Sequence, residues 1–175
     1  MVKRFVLFMV IAFAGAGIYA QESGFTFRPF FGGGGGTVVF DGTGGFGVGG
    51  LGEYAFLVFD RGLQVGTHIL ARGDSITTPN GNNFGAASVS GRISLGGFFP
   101  GEFVRGYSFV ESGIGFAGGN GTRAANFIFG GGGGFDFFVH ERGSIYLEVG
   151  YLQHSLNNER VGGVAITIGS RGHIR

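Results

Sequence analysis

Apolar and polar residues alternate in short runs along most of this chain. Over 145–151, Ile145, Leu147, Val149 and Tyr151 share one face, and Tyr146, Glu148 and Gly150 the other. Over 161–169, Val164, Ile166 and Ile168 oppose Gly163, Ala165, Thr167 and Gly169. Over 87–95, Ala87, Val89, Ile93 and Leu95 oppose Ser88, Ser90, Arg92 and Ser94. Over 63–72, Leu63, Val65, Thr67, Ile69 and Ala71 oppose Gln64, Gly66, His68 and Arg72. A period of two is the mark of strands with unlike faces. Segments near 25–39, 46–59, 104–117 and 126–139 read the same way, diluted by glycine.

The connections alternate as well. Tight turns at 60–62, 100–102 and 141–144 separate looser polar stretches at 41–44, 73–85, 119–123 and 155–160. Seven connections join eight strands. Short turns at one end and longer loops at the other are the habit of outer-membrane barrels. The fold class this predicts is all-β: an eight-stranded antiparallel up-and-down transmembrane β-barrel.

Only the start departs from the pattern. Lys3 and Arg4 precede the apolar run 5–13, and small residues fill 14–20. That is the layout of a secretory signal peptide, and the run is too short for a spanning helix. The domains are therefore 1–20, a cleaved signal, and 21–175, the barrel. Removing the signal leaves 10 Arg against 11 acids, a charge of −1. Such a balance calls for no nucleic acid.

Charge placement tests the register. Arg28, Glu53, Arg72, Arg92, Arg105, Glu111, Asp136 and Glu148 all fall opposite the apolar face. A one-residue slip would reverse every one of them. Parity alone allows a lipocalin-like soluble barrel with these faces reversed. Composition decides, because only 13% of residues are charged, where a soluble surface needs about 25–35%. Four Arg and four acids instead form a balanced ionic network in the barrel interior, with Phe, Ile, Leu and Val turned to lipid. A closed barrel also satisfies every backbone polar group there.

Composition sharpens this reading. Gly contributes 41 of 175 residues and Phe 22, with 3 Pro and no Cys or Trp. Collagen would need a three-residue Gly period with abundant Pro. Interior Gly at this density is ruinous to helices. In a narrow barrel Gly lets strands bend and leaves room beside Arg and Tyr. Phe56, Phe59, Phe98, Phe99, Phe103, Phe135, Phe137 and Phe138 cluster near the tight turns. They read either as an aromatic girdle or as lipid-facing bulk.

Signal segment, eight strands, short turns and looser loops together resemble the outer-membrane barrels of the OmpA, OmpX and OmpW kind. The segment 134–151 (GFDFFVHERGSIYLEVGY), a strand, tight turn and strand, carries the likeness most closely. The resemblance implies residence in the outer membrane, contact with its lipids and insertion by the barrel-assembly machinery. Those barrels usually end on a strand closed by Phe. This chain ends Gly169-Ser170-Arg171-Gly172-His173-Ile174-Arg175, so the last strand either loses that signal or precedes a tail.

Few motifs carry chemistry. The Gly runs 32–36 and 130–134 lack the Gly-Lys-Ser/Thr and following helix of a phosphate loop. His68, His140, His154 and His173 are scattered, and no Cys accompanies them. No cofactor is called for. Arg72-Gly73-Asp74 is an RGD tripeptide at the start of the longest predicted loop, although Arg72 already belongs to the interior set. Asn120-Gly121-Thr122 is a glycosylation sequon, relevant only in a eukaryotic secretory pathway. Tyr151 to Asn157 (YLQHSLN) resembles the catalytic strand of outer-membrane lipid A deacylases, making His154 and Ser155 catalytic candidates with Glu159 as the acid. Those enzymes carry His-x-Ser-Asn, with both side chains on one face. Here His154 and Ser155 are adjacent and point apart.

The function expected is that of a small, non-enzymatic outer-membrane barrel with an envelope-structural or surface-interaction role. Contacts with a host or extracellular ligand fall to the loops 73–85 and 155–160. A narrow OmpW-like conduit for small solutes is the second reading, and a lipid A-modifying enzyme the third.

Overall fold

The computed structural model describes residues 26–27, 30–42, 45–60, 64–101, 103–119, 122–140, 143–156 and 159–173. The signal segment 1–20 and Arg28 lie outside them. The described residues form nine strands and their connections. A two-residue strand, β1 (Thr26–Phe27), precedes β2 (Phe30–Phe40), β3 (Phe46–Asp60), β4 (Gln64–Thr77) and β5 (Asn83–Phe98). Then come β6 (Val104–Gly119), β7 (Thr122–His140), β8 (Gly143–Leu156) and β9 (Glu159–His173).

Each strand from β2 to β9 pairs antiparallel with the next, and β9 returns to pair with β2. The eight-stranded sheet therefore closes. β1 adds a short rung to the end of β3, pairing Thr26 with Asp60. Among the described residues, every strand from β2 to β9 has a partner on both sides, the arrangement a barrel in lipid requires. An even strand number brings the start of β2 and the end of β9 together, with Phe30 opposite His173. That end also carries the β3-to-β4, β5-to-β6 and β7-to-β8 strand ends, and is called the turn end. The opposite, loop end carries the β2-to-β3, β4-to-β5, β6-to-β7 and β8-to-β9 strand ends.

The loops are shorter than the sequence pattern predicts. Residues 73–77 continue β4, and 83–85 begin β5. Only 78–82 form the turn, where Thr78 N–H donates to Asn82 O and Gly81 takes a positive φ of 80°. Likewise Ser155 and Leu156 finish β8, and Glu159 and Arg160 open β9. Polar side chains at a strand end were indistinguishable from loop composition. Alternation nonetheless persists there, with Asp74 and Ile76 inward and Ser75 outward. The RGD tripeptide is consequently no exposed loop: Arg72 and Asp74 both bury their side chains in the barrel.

The outer wall is apolar. Ile69, Val89, Ile93, Val110, Ile114, Phe127, Phe129, Ile166 and Ile168 are all exposed. Phe98, Phe99, Phe103, Phe135 and Phe137 are exposed around the turn end. Ring contacts join Phe98 to Phe138 at 5.3 Å and Phe99 to Phe135 at 6.2 Å. The side chains of Phe56 and Phe59 lie outside the described set.

Inward glycines make room for large rings. A Cβ on Gly169 would meet the Tyr146 ring at 2.6 Å, and one on Gly134 would lie 2.9 Å from Tyr107 Cζ. Nothing in the structure explains the outward glycines at 32, 34 and 36.

Candidate functional site

Alternation carries seven sequence-selected charges inside: Glu53, Arg72, Arg92, Arg105, Glu111, Asp136 and Glu148, each at most 6% exposed. Together with Arg171 they form one connected network. Arg72 Nε donates to Glu111 Oε1 at 3.2 Å. Arg92 Nη2 donates to Glu111 Oε2 at 2.7 Å, and its Nη1 to Glu148 Oε1 at 2.7 Å. Arg105 Nε donates to Asp136 Oδ2 at 2.8 Å, and its Nη1 to Gln64 Oε1 at 3.1 Å. Arg92 also lies 4.0 Å over the Phe109 ring. Charges so buried persist only when paired and hydrogen-bonded.

The hub is a residue outside the predicted set. Arg171 donates through Nη2 to Glu148 Oε1 at 2.8 Å and through Nη1 to Asp136 Oδ1 at 2.6 Å. It also pairs with both oxygens of Glu53. Tyr107 Oη accepts from Arg171 at 2.7 Å and donates to Glu148 at 2.8 Å. The Arg171 guanidinium stacks 4.0 Å from the Tyr146 ring centre. One side chain on β9 thus ties together β3, β6, β7 and β8. Its signal was parity: Arg171 lies two residues beyond Gly169, on the same face. The residues after Gly169 are part of the last strand, through His173.

Toward the loop end the lumen changes character. Val39, Ile128, Leu152 and Ala165 form one buried apolar cluster, and Ile76, Ala86, Ala117, Leu156 and Val161 a second. His154, Asn126 and Asp74 lie between these clusters in strand position. Asn126 Nδ2 and His154 Nδ1 are 3.2 Å apart, and His154 Nε2 is 3.9 Å from Asp74 Oδ2. Beside the network, a void of about 10 Å³ borders Arg72, Arg92, Glu111 and Glu148, room for one water.

The deacylase candidates do not converge. His154 is buried inside the lumen. Ser155 is half-buried on the other face, where its Oγ meets Gln153 Nε2 at 3.0 Å. Glu159 starts the next strand opposite Leu156. A second histidine, His68, meets Ser94 Oγ at 2.8 Å through Nε2, with Glu53 3.9 Å from its Nδ1. That serine, histidine and acid are enclosed with the network, and Glu53 is already held by Arg171. Among the described residues, no group of three or more His, Cys, Asp or Glu side chains is placed to hold a metal ion.

No family model matches the chain, and no curated protein matches it. Among solved structures, the crystal structure of Neisserial surface protein A is similar. The match has a TM-score of 0.53 and 15% identity, and it covers 87% of this chain and 100% of that one. That protein is an eight-stranded outer-membrane barrel. This chain has the fold of a small outer-membrane barrel. At this identity the likeness is one of fold. The ionic lumen and its apolar cap are read from this chain's own residues.

Proposed function

We propose that the chain is an integral outer-membrane barrel, closed to solutes and non-enzymatic. Its role is envelope structure together with the contacts its loop end makes. The observation that carries this reading is the lumen, filled from the ionic network through two apolar clusters. An eight-stranded barrel has just enough interior for its own side chains. A hydrated ion crossing this one would meet bidentate Arg–carboxylate pairs and then apolar layers. The divergence of His154 and Ser155 supports a non-enzymatic role. Partners at the loop end would meet only the short tips, including 41–45 and 78–82, so a bound ligand would be small or would span several tips.

Planar-bilayer recording tests this reading against the conduit. Folded protein is expected to add no stepwise conductance above the bare bilayer. Discrete channel openings at moderate voltage would overturn it.

A further inference from the structure

One region of the outer wall is hollow. Its first cross-strand row, nearest the loop end, runs Val48, Ser75, Gly85, Gly118 and Arg123 across β3 to β7. The row beneath it places Gly73 opposite Ala87 and Ala87 opposite Phe116. All of these side chains or glycines face outward. The next row, Ala71, Val89, Ile114 and Phe127, is bulky again on β5 to β7. The result is an open depression of about 820 Å³ with a floor of small residues on β4 to β6. Phe116, 80% exposed, stands up as one wall, and Arg123 lies at the rim.

The chemistry of this place is two-part. Its floor is mostly apolar, with Ser75 and Asp74 its polar members, and lies in the wall that the proposed function sets in lipid, so that reading is assumed here. Its rim holds a guanidinium that, among the described residues, has no ion pair. Such a charge at the edge of an apolar wall extends toward the headgroup level. A lipid tail matches the hollow, and a phosphate complements Arg123. We infer that this depression is a binding site for an anionic phospholipid, one whose phosphate charge no headgroup cation offsets, in the leaflet at the loop end. Its acyl chain lies over Gly73 and Ala87 against Phe116, and its phosphate pairs with Arg123.

Lipid retention in nanodiscs tests this. The full barrel is inserted into discs of equal phosphatidylglycerol and phosphatidylcholine, and retained lipids are read by native mass spectrometry. Phosphatidylglycerol is expected to exceed phosphatidylcholine about five-fold, the factor one surface arginine contributes. Arg123→Gln should return the ratio to parity. Ala87→Trp, which fills the floor, should reduce retention of both lipids. Equal retention by the folded wild type would overturn the site, as would a preference that survives Arg123→Gln. A dimer in the same spectra that Ala87→Trp abolishes would assign the depression to a second copy instead. Failure to enter the discs at all would refute the membrane reading itself, a separate result from loss of lipid preference.

Discussion

Replacing Arg171 with Met is expected to destabilise the folded barrel by about 3–5 kcal/mol, the range for removing one partner of a buried ion pair. Glu53 would lose its bidentate partner, while Glu148 and Asp136 would each lose a charged donor. Arg92 cannot fully compensate, since it sits 3.7 Å from Glu53 and already serves Glu111 and Glu148. Three carboxylates would then crowd a water-poor space around the Tyr107 hydroxyl. Urea titration of the folded fraction in lipid vesicles measures the effect. A loss below about 1 kcal/mol, the worth of an exposed pair, would mean that the hub carries no weight. Because Arg171 lies on the closing strand, the same variant should also fold less completely.

An arginine at Val110 is expected to cost about 2–4 kcal/mol in a bilayer, the price of that charge on the lipid face at mid-depth. Val110 is exposed in the middle of β6, between Ile93 on β5 and Gly131 on β7. Depth should grade the penalty. Phe103→Arg, in the connection at the turn end, should cost no more than about 1 kcal/mol, the interfacial value. Vesicle unfolding titrations of both variants check the pair. Equal effects at the two depths would contradict a lipid-facing wall.

Parity made the wall and the ionic lumen legible, because the charges of the strands fall on the face opposite the apolar side chains. Hence Glu53, Arg72, Arg92, Arg105, Glu111, Asp136 and Glu148 could be grouped from alternation, although their pairings could not. Arg171 escaped because the residues after Gly169 read equally well as a tail beyond the last strand, although Arg171 keeps the parity of Gly169. Asp74 escaped because its polar neighbours read as loop. The apolar cap was invisible for another reason. In 126–129, Phe127 and Phe129 face outward while Ile128 faces the lumen. Where both faces are apolar, a period of two leaves no trace. Glycine likewise carries no face label, yet Gly134 and Gly169 turn out to be the space that Tyr107 and Tyr146 occupy. The depression beneath Arg123 depends on small residues from three strands meeting in register, which only the strand pairing reveals.

The most direct measurement is fractionation of the expressing cell, followed by gel electrophoresis of boiled and unboiled samples. A closed barrel in the outer membrane should sediment with that membrane, resist extraction by carbonate, and shift in mobility on boiling. Recovery as a soluble periplasmic protein with no heat-dependent shift would contradict the account.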